Sequence, residues 1–182
     1  ELARVCKAEG FEVFRGSLDD VLDRFVQALD RVQADHVVRL TGDCPLADPQ
    51  IIDGIIERHL ECDKDYTSNT LNPTFPDGLD AEVFKMQAMQ TAWDNAVLPS
   101  HREHVTPYVY ANPQEFSLES YEASSDFSHL RWTVDDLTDF KLVEAIYERL
   151  YPENPQFRIE DILALLERES ELLDINAGIG RN

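Results

Sequence analysis

Apolar positions along this chain recur with two periods, one helical and one of two residues, so helices take turns with strands. Residues 1–9 read as a helix that stops at Gly10, and Phe11-Glu12-Val13-Phe14 follows as a short strand. Ser17 stands as an N-cap, with Asp19 and Asp20 in the first turn, where the helix dipole favours anions. Val21, Leu22, Phe25, Val26, Leu29 and Val32 then predict an amphipathic helix over 18–33. The run 36–40 predicts a strand ending on the Gly42-Asp43 turn. Asp48 as N-cap and Pro49 at the first helical position open a helix with Ile51, Ile52, Ile55, Ile56 and Leu60 on one side.

Another short strand is expected at 65–68, and then the alternation breaks. Residues 69–80 hold two prolines, two asparagines and a glycine and read as a loop, of a length that is usually functional. A strand at 81–85, a helix at 87–97 and a helix at 100–112 kinked at Pro107 come next. A half-exposed strand at 116–121, a polar loop at 123–128 and a strand at 130–134 ending on Asp135-Asp136 follow. Helices at 137–150 and 159–169 finish the chain. Helices long enough to cross between strands imply an α/β domain with a mostly parallel sheet. Neither an internal repeat nor a linker divides the chain, so a single domain over 1–182 is expected.

Length and composition fit this picture. The 182 residues suffice for one sizeable core, and the net charge is −20, from 36 acidic against 16 basic residues. A surface so acidic argues against nucleic acid or an anionic membrane as the main partner. It leaves room for a nucleotide, because a Mg²⁺ ion reconciles carboxylates with phosphates. Cys6, Cys44 and Cys62 are odd in number and lack zinc spacing, so a disulfide framework and a structural zinc are disfavoured and a reducing cytoplasm is expected. No apolar run reaches bilayer length and no signal peptide is visible.

Chemistry is expected at the strand ends. In open α/β sheets ligands collect at the carboxyl edge, and two carboxylates stand there, Asp43 after the strand at 36–40 and Asp135 after the strand at 130–134. Converging, they make an oxygen site for Mg²⁺ shared with substrate phosphates. Taken singly, Asp43 serves equally as a turn residue and Asp135 or Asp136 as a helix cap. The loop opening at Asn69 carries Asp77, Asp80 and Glu82 beside Pro76 and Gly78, either a solvated edge or a pocket wall for a polyhydroxyl ligand. In Ser100-His101-Arg102-Glu103-His104, Arg102 and His104 are candidate ligand contacts, against a buried histidine and a surface ion pair. His129 and Arg131 form a weaker pair. No nucleophile signature is present, and Cys44 precedes Pro45 with no base nearby.

The ordered set FRGSLDDVLDRF, VVRLTGDCPLADP, YTSNT, FPDGLDAEVF, REHVTPY, SHLRWTVDDLTDF and LLDIN closely resembles the SpsF-like branch of the cytidylyltransferases, relatives of the acylneuraminate and 3-deoxy-manno-octulosonate enzymes, from about Phe14 onward. The resemblance implies a Rossmann-like three-layer α/β/α domain, the nucleotide-diphospho-sugar transferase fold. It implies an enzyme condensing CTP with a sugar or sugar acid, with release of pyrophosphate, for surface or spore-coat polysaccharide. By similarity Asp43 and Asp135 fall on the family's metal-binding aspartates, with Mg²⁺ as cofactor, and His104 falls near its sugar-contacting helix. Dimers are common among such relatives. The family's basic nucleotide-binding loop would precede Glu1, so the expectation is a domain lacking that segment, N-terminally truncated, which binds CTP poorly by itself. A nucleotide-sugar glycosyltransferase of the same fold and a non-catalytic domain are the alternatives.

Overall fold

The computed structural model describes residues 1–180. Eight α-helices and four strands alternate along them: α1 (Leu2–Ala8), α2 (Val21–Leu29), β1 (His36–Arg39), α3 (Pro49–Cys62), β2 (Tyr66–Ser68), β3 (Glu82–Lys85), α4 (Met86–Asn95), α5 (Pro99–His104), α6 (Pro107–Ala111), β4 (Leu118–Ser120), α7 (Leu137–Leu150) and α8 (Ile159–Arg168). A 3₁₀ turn, Ser170–Asp174, follows. The strands form one sheet in the order β1-β3-β2-β4. Tyr66 N–H donates to Ser117 C=O and Tyr121 N–H to Ser68 C=O, so β2 and β4 advance together and are parallel. Lys85 N–H donates to Asp65 C=O and Met86 N–H to Asp35 C=O, so β3 runs against both its neighbours. Three of four strands thus share a direction, which is the mixed, mostly parallel α/β sheet expected from the alternation.

Contacts divide the chain into two compact units, and the strands contribute residues to both. The first unit holds residues 1–37, 64–66 and 84–118. Its core gathers Leu22 and Val26 of α2, Ala88, Met89 and Ala92 of α4, Val105, Val109 and Phe116. The second holds residues 38–63, 67–83 and those from 119 onward. There Ile51 and Ile55 of α3, Leu142 and Ile146 of α7, and Ile162 and Leu165 of α8 close around Trp132. The helical spacing of these residues is why each helix buries one face.

Several local expectations change. Residues 11–14 are irregular rather than a strand, because an apolar alternation becomes a strand only where a neighbour pairs with it, and they lie outside the sheet. Helix α2 is shorter than 18–33. Asp20, not Ser17, is its N-cap, accepting from Asp23 N–H at 2.9 Å, while the Ser17 hydroxyl accepts from Asp20 N–H. The helix expected at 100–112 is two helices. Between them Val105 takes φ +77° and ψ −59°, and Thr106 N–H reaches His104 C=O at 3.0 Å, a γ-turn in a conformation that β-branched residues rarely adopt. Pro107 therefore begins a helix instead of kinking one.

Residues 130–134 also form no strand. They thread between two loops, with one parallel bridge joining Asp77 and Arg131. Asp77 N–H donates to Leu130 C=O at 3.0 Å, Trp132 N–H to Asp77 C=O at 2.6 Å, and Val134 N–H to Asp43 C=O at 2.8 Å. The apolar signal came from burial, since Leu130 and Trp132 sit in the core.

Gly78 makes this threading possible. Its φ is +104°, and a Cβ there would stand 2.3 Å from Thr133 N. Gly78→Ala is expected to cost roughly 2 kcal/mol or more, from backbone strain and overlap together. Gly42→Ala meets nothing within 4 Å and should stay within about 0.5 kcal/mol of the parent. Thermal unfolding of the two variants tests the pair.

Candidate functional site

The turn after β1 is stitched to the loop that precedes α7. Asp43 C=O accepts from Val134 N–H at 2.8 Å and from the Thr133 hydroxyl at 3.3 Å, so Asp43 and Asp135 belong to adjoining turns of the second unit. Further anchors fix the turn: the Tyr147 hydroxyl donates to Pro45 C=O at 2.9 Å, and Cys44 Sγ lies 3.2 Å from the Thr41 hydroxyl. Burial pushes the Cys44 thiol up to about 11, opposed by the Thr41 hydroxyl and reinforced by the negative charges of Asp43 and Asp80. Cys44 is therefore a protonated, inert thiol at neutral pH, and Asp80 is brought to the same turn as Asp43.

Arg131 is the hub of the neighbouring loop. Its guanidinium is 6% exposed. Nε donates to Asp139 Oδ1 at 3.0 Å, and one terminal nitrogen reaches Asp139 Oδ2 at 2.9 Å and Asp135 Oδ2 at 2.6 Å. The other terminal nitrogen donates to Asp77 Oδ2 at 3.0 Å and to Gly180 C=O at 3.1 Å. Asp139 is fully buried, and Asn176 Nδ2 donates both to its Oδ1 and to Arg131 C=O, each at 3.0 Å. Burial works to raise the Asp139 pKa, but the bonds from Arg131, Asn176 and the Asp135 backbone hold it down at about 2. The Asp139 hydrogen bonds, against burial, push the Arg131 pKa higher still. Asp136 is the N-cap of α7, accepting from Thr138 and Asp139 N–H.

The remaining candidates have structural partners. Asn69 is buried and braces its loop, donating to Leu79 C=O at 2.7 Å and accepting from Ala81 N–H at 3.0 Å. Glu82 forms an ion pair with Arg39. Arg102 and His104 lie in the first unit. There Arg102 clasps Asp20, with contacts between 2.6 and 3.0 Å, and donates to Trp93 C=O. Burial opposes the lowering of the Asp20 pKa, which the Arg102 hydrogen bond and the Asp23 N–H bring about. His104 is exposed at the end of α5. Sequence reasoning gave Arg131 little weight and missed Asp139 and Asn176. One signal was present: an arginine between Leu130 and Trp132, in an apolar run, demands buried acidic partners.

Among the described residues no three His, Cys, Asp or Glu side chains cluster as a metal cage. A Mg²⁺ ion shared with phosphates needs only one or two protein carboxylates. Half-buried Asp43 and exposed Asp135, on adjoining turns with hard oxygen donors, fit that lesser demand. In the same unit a cleft of about 430 Å³ opens where α3 and α8 begin, walled by Phe75, Tyr121 and Phe127 with Glu122 and Glu160. Phe75 and Tyr121 lie parallel, with ring centroids 5.9 Å apart.

Comparisons with known proteins point to one family. The sequence model of the family described as Cytidylyltransferase matches residues 1–149. The uncharacterized protein MJ1063 of Methanocaldococcus jannaschii is similar, 37% identical over 180 residues, covering 98% of this chain and 72% of that protein. The spore coat polysaccharide biosynthesis protein SpsF of Bacillus subtilis is 33% identical over 169 residues, covering 91% and 69%. A solved cytidylyltransferase from Leptospira borgpetersenii serovar Hardjo-bovis superposes with a TM-score of 0.91 at 29% identity, over 98% of this chain and 74% of that one.

Because the Asp139 pKa is depressed on folding, its stabilisation is complete above the unfolded carboxylate range and is lost as pH falls through about 2. The contribution is on the order of 2 kcal/mol. Denaturant unfolding between pH 5 and 2 is expected to show this loss in the parent and not in Asp139→Asn. Asp139→Ala, which leaves a buried guanidinium short of its main partner, should cost about 3–5 kcal/mol at neutral pH.

Proposed function

This chain belongs to the cytidylyltransferase family of CTP-dependent nucleotidyltransferases, and from that premise we propose that Asp43 and Asp135 hold a Mg²⁺ ion at which a sugar or sugar acid is activated. The observation that carries the proposal is the bond from Val134 N–H to Asp43 C=O, which ties the two carboxylate-bearing turns together. In the reaction a sugar hydroxyl attacks the α-phosphate of CTP. A new oxygen–phosphorus bond forms, the bond to pyrophosphate breaks, and the hydroxyl proton is released. The ion, when bound, neutralises developing phosphate charge. The chain's own residues do the positioning: Asp43 and Asp135 fix the ion's place, and Asp80 adds a carboxylate beside the Asp43 turn. The cleft with Phe75, Tyr121 and Glu122 offers apolar faces and hydrogen-bond acceptors that suit a sugar.

Asn69, Asp77 and Glu82 brace the segment that carries Asp80. Residues 1–182 work as one cytidylyltransferase domain, and a second copy can complete a dimer. SpsF, by its name, serves spore coat polysaccharide biosynthesis, which supports a role in surface polysaccharide here. Among the described residues no helix is long and apolar enough to cross a membrane, and the cysteines are free thiols. Both accord with work on CTP in the cytoplasm.

Pyrophosphate release from CTP, assayed against a panel of free sugars and sugar acids, tests the reading. Release that depends on both a sugar and a divalent ion is expected. Asp43→Asn and Asp135→Asn should each lower kcat by about 100-fold or more, several kcal/mol of lost charge stabilisation. Unchanged turnover in Asp43→Asn would overturn the assignment. Consumption of a nucleotide-sugar without pyrophosphate release would point to a glycosyltransferase instead.

A further inference from the structure

We propose that Arg131 is a positioning residue for the metal ligand Asp135: a resident cation that holds this carboxylate in place and yields it to a divalent ion. The proposal rests on the reading of Asp43 and Asp135 given above.

Its basis is the unequal hold of one guanidinium on three carboxylates. Arg131 has five N–H donors, and five donor–acceptor contacts account for them: two to Asp139, one to Asp135, one to Asp77 and one to Gly180 C=O. Asp139 is gripped by both its oxygens and its side chain is 0% exposed, whereas Asp135 contributes one oxygen at 2.6 Å and is 40% exposed. Asn176 pins Asp139 Oδ1, and Asp139 Oδ2 accepts from Asp135 N–H at 3.2 Å, so the buried aspartate also sets the backbone from which Asp135 projects. When Asp135 turns to a metal ion, Arg131 keeps Asp139 and Asp77, and no buried charge is left without a counter-charge. Among the described residues Arg131 meets three carboxylates, Asp77, Asp135 and Asp139, and of these Asp135 is the exposed one. A lysine could not replace the arginine, because a single ammonium lacks the planar fork that binds two groups at fixed angles.

Removing the Asp139 charge should throw the guanidinium onto Asp135, in competition with the metal. The test is Mn²⁺ titration followed by electron paramagnetic resonance, with a thermal melt of each protein. Asp139→Asn is expected to weaken Mn²⁺ binding about tenfold in protein that remains folded. Excess Mn²⁺ should restore much of kcat. An unchanged Mn²⁺ affinity with only a lower melting temperature would make Asp139 and Arg131 merely structural and overturn the inference. Asp135→Ala keeps the inference open to refutation should Asp139→Asn not fold. It should melt like a surface substitution, and a large drop in melting temperature would mean that Asp135 is not releasable. Asp43→Asn separates the two readings. If it leaves Mn²⁺ binding intact, the metal assignment itself fails. If it weakens binding while Asp139→Asn does not, only the role of Arg131 fails.

Discussion

The second unit is organised around an arginine that has to be neutralised where water is scarce. A buried guanidinium costs several kcal/mol to desolvate unless carboxylates surround it. Arg131 meets that demand with carboxylates from the 69–80 loop, from its own loop and from α7, and with the Gly180 carbonyl beyond α8. The path of the chain between Leu130 and Val134 follows from this need. Trp132 is carried into the core, Gly78 gives way to the backbone beside it, and Val134 is delivered to the carbonyl of Asp43. The candidate site is therefore a by-product of charge satisfaction as much as of strand placement.

Sequence reading succeeded where signals are local. Asp48 and Pro49 open α3 as caps do, because the side-chain oxygen must meet an amide two or three residues on whatever the tertiary structure. The apolar stripes of α3, α7 and α8 were equally visible. Asp43 does follow a strand, β1, whereas Asp135 follows a segment that forms none. What escaped depends on partners distant in sequence. Residues 11–14 and 130–134 carry strand-like composition without a strand beside them, and nothing local marks Val105 as the seat of a γ-turn.

The cap reading falls on only one of two neighbouring aspartates. Asp136 is the cap of α7, and Asp135, one residue earlier, points its charge at Arg131. Adjacent aspartates can thus take opposite tasks, one satisfying helix amides and the other sharing an ion pair. The same economy holds for Asp77, Glu82 and Arg102, which read as ligand-seeking from sequence and are held in internal ion pairs. Acidic residues outnumber basic ones so heavily here that the arginines of these pairs are kept by several carboxylates or by one held closely.

Asp48 caps two helices at once. One oxygen accepts from Gln50 N–H at the start of α3, and the other from Ile159 N–H at the start of α8, at 2.8 and 3.0 Å. Residue 159 lies past the family-model match, which ends at 149, yet it is moored to a residue five positions from Asp43. Asn176 repeats the pattern by fastening to Arg131. A boundary drawn at the end of the family-model match would thus cut two donors, Ile159 N–H and the Asn176 amide, from their acceptors. The end of the chain beyond residue 149 is an internal strut, held at two moorings.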